Sequence, residues 1–268
     1  MARRNRLDAE LVRRGLARSR EHAIGLISQG RVRVGGGPST IKPASQVDTS
    51  APITVAEPAD GAGEYVSRGG QKLAGALAVF TGLAVAGRKC LDAGASTGGF
   101  TDVLLRAGAA HVTAIDVGYG QLAWSLRSDP RVTAMDRVNV RGLRTGQLGY
   151  APDLVTADLS FISLSLVLPA LAMCAAPDAD FLLLVKPQFE AGKEKVGAGG
   201  VVRDPATREA AVTRVARCAG EHGLGVMGVT ASPLPGPAGN VEYFLWLRRG
   251  APALDEAAVR RAIEEGPR

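Results

Sequence analysis

The chain has 268 residues, 46% of them apolar, with a formal net charge of +6, and that length and apolar share support a folded core and exclude a wholly disordered protein. Its longest near-apolar stretch, Leu166 to Ala176, is short and interrupted by Pro169, whereas a bilayer span needs roughly 20 apolar residues. No transmembrane helix is expected, nor a signal peptide, because the charged Leu7-Asp8-Ala9-Glu10 follows the basic N-terminus where an apolar core would be needed.

Cys90, Cys174 and Cys218 are odd in number, far apart and set among apolar residues, which points to buried thiols in a reducing, cytoplasmic setting. Neither they nor the scattered His22, His111 and His222 have metal-ligand spacing, so no metal is expected. The charge is divided unevenly: residues 1–42 carry a net +7 and the other 226 a net −1. A basic module on a near-neutral body suits a polyanionic partner; a solvated basic face is the alternative.

In chain order, Leu7, Leu11, Val12, Leu16 and Ala17 form the apolar stripe of an amphipathic helix with an arginine face, weakened at its end by Gly15. Ser19 is a good N-cap for a second helix through Ala23, Ile24, Leu26 and Ile27, which stops at Gly30. Arg31-Val32-Arg33-Val34 alternates as a strand does, and Gly35-Gly36-Gly37-Pro38 turns the chain. Arg4, Arg6, Arg14, Arg18, Arg20, Arg31 and Arg33 are the candidate phosphate contacts of this module. Pro52 to Gly63 has the composition of a linker, which divides the chain into domains 1–60 and 68–268 joined by residues 61–67.

Beyond the linker, short apolar strands alternate with helical patterns at Lys89–Asp92, His111–Asp116, Arg131–Asp136, Asp153–Asp158, Asp180–Lys186, Gly225–Thr230 and Val241–Leu247. Such alternation predicts an α/β fold with a mostly parallel, doubly wound sheet. After the first strand comes Asp92-Ala93-Gly94-Ala95-Ser96-Thr97-Gly98-Gly99-Phe100, a glycine-rich turn opening a helix. Glycine permits close approach of a ligand there, and the helix amide ends favour a negative group. A pyrophosphate-binding G-x-G-x-x-G is the competitor, but Ser96 stands at its second glycine. Asp116, 22 residues past Gly94 at the end of the next strand, is placed to accept both ribose hydroxyls of a nucleoside cofactor. Asp136, ending the third strand, reads either as an acceptor for the adenine amino group or as a strand-end cap.

Lys72, Asp158, Lys186 and Glu242 fall where such a sheet would converge on its ligand; taken singly, each is an ordinary surface or strand-end charge. Asp158-Leu159-Ser160-Phe161 lacks the two prolines of the Asn/Asp-Pro-Pro-Tyr segment of base N-methyltransferases. Phe161 reads either as a platform for a flipped base or as a core aromatic. The glycine-rich charged loop from Glu190 to Arg203 is placed to fold over phosphates, and Asp204-Pro205 starts a helix as N-cap and N1.

Residues 5–56 resemble the S4 RNA-binding domain, through Arg6-Leu7-Asp8, Leu16-Ala17-Arg18-Ser19-Arg20 and Ile27 to Val34. The loop from Asp92 to Phe100 resembles the cofactor loop of S-adenosylmethionine-dependent methyltransferases, and Lys72, Asp158, Lys186 and Glu242 resemble the Lys-Asp-Lys-Glu tetrad of the FtsJ-like ribose 2′-O-methyltransferases. With Val66-Ser67-Arg68-Gly69, Asp158-Leu159-Ser160-Phe161-Ile162-Ser163, Leu184-Val185-Lys186-Pro187-Gln188-Phe189-Glu190 and Asn240-Val241-Glu242-Tyr243, nearly the whole chain is similar to the TlyA (hemolysin A) family.

That resemblance implies a Rossmann-like class I methyltransferase domain carrying a small α+β RNA-binding domain. It also implies S-adenosyl-L-methionine as cofactor, ribosomal RNA or ribosomal subunits rather than DNA as partner, and methylation of cytidine 2′-hydroxyls in 16S and/or 23S rRNA. By the same resemblance, the modification would support sensitivity to capreomycin-type antibiotics. In this reading Lys186 is the base; a lysine serves so only where burial and a nearby positive charge, here Lys72, lower its pKa. A membrane-active hemolysin and a catalytically inactive RNA-binding protein are the other function classes; no stable membrane insertion is expected, and all four tetrad positions are present. Gly63-Glu64-Tyr65-Val66 departs from the Arg-x-Trp-Val of relatives and loses its positive charge.

Overall fold

The computed structural model describes residues 4–17, 19–28, 30–35, 42–56, 65–192, 194 and 196–267. Arg18, the glycine turn at 36–38, residues 61–64 of the linker, Lys193 and Lys195 lie outside the described residues. The chain divides into two compact units, Met1–Ser67 and Arg68–Arg268.

In the first unit, β1 (Arg4–Arg6) runs directly into α1 (Leu7–Arg13), and α2 (Arg20–Ser28) leads to β2 (Val32–Val34), β3 (Gln46–Asp48) and β4 (Ile53–Val55). Antiparallel pairs form between β1 and β3 and between β2 and β4. Leu7, Leu11, Ala23, Leu26, Ile27, Val32, Val47 and Ile53 close a common apolar core. The first helix stops at Arg13, short of the Ala17 expected, because Gly15 turns the chain at φ +71°. The Leu16 and Ala17 amides then both donate to the Leu11 carbonyl, so Ala17 still reaches the core. Ser19 caps α2, its Oγ accepting the His22 amide at 3.1 Å.

Beneath this helix pair, Glu10 is fully buried and accepts from Asn5 Nδ2 (2.9 Å), from Arg13 Nε and Nη2 (2.8 and 2.5 Å) and from Arg14 Nε (2.8 Å). The Arg13 guanidinium, helped by Asn5 and Arg14, holds its carboxyl well below the usual carboxylate range against the opposing push of burial.

The second unit contains α3 (Gly69–Val79), β5 (Lys89–Ala93), α4 (Gly99–Arg106), β6 (His111–Asp116), α5 (Trp124–Arg127), β7 (Val132–Asp136), β8 (Leu154–Ala157), α6 (Leu168–Cys174), β9 (Asp180–Val185), α7 (Pro187–Glu190), α8 (Pro205–Glu221), β10 (Leu224–Ala231), β11 (Tyr243–Arg249) and α9 (Glu256–Glu265). Seven strands form one sheet in the order β10-β11-β9-β8-β5-β6-β7, with β11 reversed against the rest.

Strand periodicity explains the two layers of helices. Leu91, Ala93, Phe181, Leu183, Tyr243 and Leu245 point to one face and join residues of α6, α8 and α9 in a core. Their alternating neighbours face the other way, where Phe244 stacks on Phe100 of α4 and Trp246 meets Phe80 at the end of α3, with ring centroids 6.0 and 5.6 Å apart. The central strands β8 and β9 are buried at every position, as strands covered on both faces must be. Asp204 caps α8 as expected, accepting the Thr207 amide at 2.9 Å with Pro205 in the first turn.

This is the doubly wound, mostly parallel sheet that the β/α alternation predicts. From β5 the chain winds outward through β6 and β7, then returns to β8 on the other side of β5. The crevice at that reversal, outside the carboxyl ends of β5 and β8, is where sheets of this kind bind ligands.

The opposite edge is braced by Asp180, fully buried at the start of β9, which accepts from Arg88 Nη1 (2.6 Å), Trp246 Nε1 (2.7 Å) and Arg248 Nε and Nη2 (2.8 and 2.9 Å). Asp180→Ala leaves these donors without their acceptor, at a cost of about 3 kcal/mol. The melting temperature should fall by roughly 6–12 °C for a unit of this size; a change within scan error in calorimetry would show that the brace contributes nothing.

Candidate active site

The crevice is built first by the turn after β5. Gly94 bends there at φ +85°, and a Cβ on it would stand 2.7 Å from the Asp158 carbonyl oxygen and 2.9 Å from the Leu159 side chain. Only glycine lets the loops after β5 and β8 approach so closely. Gly98, the residue before α4, is required first by its backbone at φ +101°, and a Cβ there would also press on the ends of the Leu122 and Leu126 side chains.

Asp116, ending β6, accepts the Ser96 amide on Oδ2 (2.8 Å) and the Gly118 amide on Oδ1 (2.7 Å). One carboxylate thus ties together two loops of the crevice and keeps further lone pairs for hydroxyl donors. Behind it, Asp92 is fully buried; its Oδ2 accepts from Thr101 Oγ1 at 2.6 Å, while Oδ1 has no partner among the described residues. Burial pushes the Asp92 carboxyl up to about 7, with the nearby Asp158 and Asp116 charges adding to the effect.

Next to Asp116 lies an open cleft of about 420 Å³ lined by Tyr119, Gly120, Leu122, Trp124, Arg127 and Asp136. Asp136 ends β7 as expected, but both its oxygens accept from Arg127 Nη2 (2.9 and 2.7 Å), which holds its carboxyl below the usual range. It is an ion-pair partner on the cleft wall. Tyr119 and Trp124 are 71% and 78% exposed, and the Arg137 guanidinium lies 4.5 Å from the Tyr119 ring centre. Sequence reasoning misses these two aromatic residues; the one signal, for Tyr119, is the turn Gly118-Tyr119-Gly120 that begins two residues after Asp116.

The four charged residues form two pairs, and the reversed strand brings in one of the four. Asp158 follows β8 and Lys186 follows β9, and their side chains meet at 2.6 Å, with Lys186 Nζ also donating to Ser160 Oγ at 3.0 Å. The sequence pattern puts Glu242 inside a strand; it stands instead one residue before β11, and the antiparallel register Tyr243 to Val185 sets it at the same sheet edge as Lys186. There its Oε2 takes Lys72 Nζ of α3 at 2.5 Å. The Lys72–Glu242 pair is almost wholly buried (5% and 1% exposed), whereas Lys186–Asp158 is more open (10% and 21%). Loop 232–240 packs over α3: a Cβ on Gly75 would stand 2.6 Å from the Pro233 ring, and Arg68 donates to the Pro235 carbonyl. Asn240 in turn grips the glycine-rich loop, accepting the Val202 amide and donating to the Gly200 carbonyl.

Phe161 is 91% exposed, which excludes the core-aromatic reading; it takes φ +64° and its ring lies 5.2 Å from that of Phe189. In the first unit Arg4, Arg20 and Arg33 are exposed, and Arg6 pairs with Asp8 while half-exposed. Arg14 donates to the Ala51 and Thr49 carbonyls as well as to Glu10, and Arg31 donates to the Ala56 carbonyl, so both brace the fold.

Comparison with known proteins gives the chain's family. Residues 65–249 match the FtsJ-like methyltransferase family and residues 5–50 match the S4 domain. The chain is 61% identical over 273 residues to the 16S/23S rRNA (cytidine-2′-O)-methyltransferase TlyA of Mycobacterium tuberculosis, with both chains fully covered. It is 37% identical over 244 residues to hemolysin A of Brachyspira hyodysenteriae, covering 89% of this chain and 98% of that one. A solved structure from Streptococcus thermophilus, described as a hemolysin, is 37% identical with a TM-score of 0.76, covering 99% of this chain and 96% of that one. Among the described residues no helix is long and apolar enough to cross a membrane.

The buried Asp92 gives the site a pH signature. Its folded-state value of about 7 lies above the ordinary value near 4 of an unfolded chain, so the folded state loses stability as pH rises from about 4 to about 7. Asp92→Asn still accepts from Thr101 and escapes that loss. Its melting temperature relative to the parent should therefore climb between pH 5 and pH 8, by on the order of 5 °C; a constant difference would mean that Asp92 does not titrate in this range.

Proposed function

This chain belongs to the FtsJ-like methyltransferases, and within them to the TlyA group that joins an S4 domain to the catalytic domain; from that premise we propose that it transfers a methyl group from S-adenosylmethionine to cytidine 2′-hydroxyls of 16S and 23S ribosomal RNA. Such a substrate places the reaction in the cytoplasm. The observation that carries this reading is the Lys186–Asp158 pair, open at the carboxyl ends of β8 and β9 beside the exposed Phe161, with Lys72–Glu242 buried behind it.

The crevice fits the cofactor. Asp116 would hold the two ribose hydroxyls, the Tyr119, Leu122 and Trp124 wall would take the adenine, and the loop from Gly94 to Gly99, over the unpartnered Asp92 Oδ1, would receive the methionine end. When bound, S-adenosylmethionine supplies the electrophilic methyl, and its sulfonium charge disfavours the ammonium form of a neighbouring lysine.

The chain's own residues do the rest. A ribose hydroxyl is a poor nucleophile and needs its proton removed by a positioned base. Lys186 first releases to solvent the proton it holds in the ion pair, with the cofactor's positive charge beside it; its neutral amine then takes the hydroxyl proton, and Asp158 at 2.6 Å stabilises the ammonium that re-forms. Ser160 keeps Nζ aimed, and the buried Lys72–Glu242 pair fixes the far wall of the pocket. The Phe161 ring offers a stacking surface for the target base once it leaves its helix. Residues 1–60 grip structured RNA through Arg4, Arg6, Arg20 and Arg33, the linker at 61–67 joins the two domains, and residues 68–268 carry the chemistry.

Incubation with labelled S-adenosylmethionine and ribosomal subunits, followed by nucleoside mass spectrometry, should find the methyl on cytidine ribose; a methyl on the base overturns the proposal. Lys186→Ala should lower turnover by roughly 10²–10⁴-fold while calorimetry finds cofactor affinity nearly unchanged; undiminished turnover would assign the base elsewhere. Replacing Arg4, Arg20 and Arg33 with alanine should weaken RNA binding and flatten its dependence on salt by about one power for each phosphate no longer neutralised. An unaltered salt slope would remove these arginines from the interface.

A further inference from the structure

The segments that leave β8 and β9, residues 158–164 and 186–190, touch at successive levels. Asp158 and Ser160 both contact Lys186, and the Phe161 ring meets that of Phe189. At the far end Glu190 closes the series: its Oε2 accepts from Ser163 Oγ at 2.5 Å and its Oε1 accepts the Leu164 amide at 2.7 Å. Glu190 is only 3% exposed, and burial pushes its carboxyl up while the two bonds hold it back. The Arg214 charge acts on the carboxyl too, but both of its hydrogen bonds go to residues 163 and 164, and a buried carboxylate bonded in this way is a strong positional restraint on that loop.

What the restraint holds is unusual. Phe161, between the ties at Ser160 and Ser163, is fully out in solvent and sits at φ +64°, a backbone region that a bulky L side chain keeps only when its surroundings over-determine it. So exposed a ring, set against the neighbouring Phe189, has little packing of its own to enforce that conformation. The ties on either side must do so. The α7 turn itself has a separate anchor, because Arg214 Nη1 of α8 donates to the Glu190 carbonyl at 2.9 Å. Loss of the Glu190 carboxylate therefore leaves its backbone in place and frees the opposite loop.

We propose that Glu190 is a positioning residue for methyl transfer: by binding Ser163 and Leu164 it locks residues 158–164 onto the lysine turn, so that Phe161 and the Lys186–Asp158 pair present themselves to the target nucleotide as one rigid unit. This rests on the reading of Lys186–Asp158 as the transfer site. A displacement of about 1 Å at such a site costs on the order of 10²-fold in rate.

The full-length chain with Glu190→Ala, Glu190→Gln and Ser163→Ala tests it. Glu190→Ala should lower kcat about 10²-fold with the cofactor dissociation constant, from calorimetry, within twofold of the parent. Glu190→Gln, whose side-chain carbonyl still accepts the Leu164 amide and whose amide nitrogen can donate to Ser163 Oγ, should recover most of that loss. Ser163→Ala, which removes the bond to the carboxylate together with the cap on the Ser165 amide but leaves the Glu190–Leu164 bond, should fall between them. Should Glu190→Ala fail to fold, Ser163→Ala decides: a lower kcat at unchanged cofactor affinity supports the proposal, and an unchanged kcat overturns it. A parent-like kcat in Glu190→Ala, or loss of cofactor affinity in proportion to activity, also overturns it. Lys186→Ala in parallel separates the two readings: if it retains turnover the transfer site itself is misassigned, and if it is inactive while Glu190→Ala is normal only the positioning role fails.

Discussion

The antiparallel register that sets Tyr243 opposite Val185 decides the geometry of the crevice. In a sheet of purely parallel strands, a residue just before a strand lies at the amino edge, far from the ligand. Because β11 runs backwards, its beginning lies at the carboxyl edge, and Glu242 arrives beside Lys186. A slip of one residue would turn Tyr243 and Leu245 out of the core shared with α8 and α9 and bring Phe244 in. Register is therefore enforced by hydrophobic burial along the whole strand, and the charges at its end are carried to their place by apolar packing.

Lys72–Glu242 follows from that placement, while Lys186–Asp158 joins the ends of the parallel β8 and β9, and the surroundings of the two pairs divide their work. Lys72–Glu242 is sealed, so removing either partner would leave an uncompensated charge in the interior, which is costly. Such a pair holds shape. Lys186–Asp158 is more open to its surroundings, and it is the pair to which the proposal gives the proton transfer. Asp92 shows the same logic for a single group: buried behind the loop with one oxygen unpartnered, it is raised toward neutrality, whereas Asp136, held by Arg127, is kept ionised. Acidic residues at or near the ends of two strands of one sheet thus differ in their tendency to ionise because of what surrounds them.

Much of this was legible in the sequence where a local rule applies. Ser19, Asp204 and Pro205 mark helix starts because capping satisfies amides within three residues. Gly94 and the 22-residue spacing to Asp116 locate two adjacent loops because one β/α unit has a nearly constant length. The short strands β3 and β4 carried no such signal; each is three residues long and gains its meaning from a partner about twenty to forty positions earlier.

Strand periodicity, the glycine turn, the division of charge and the presence of the four tetrad residues were determined by the sequence by itself, since each depends on composition or on spacing within one element. Partnership was decided only by the tertiary structure. The sequence could not say that Lys72 would meet Glu242 across 170 positions, that Arg127 would hold Asp136, that Arg14 would brace carbonyls at 49 and 51 instead of reaching solvent, or that Phe161 would stand exposed. Periodicity reports which face of an element a side chain takes. Which distant group waits on that face depends on strand order and register, and these are properties of the packed whole.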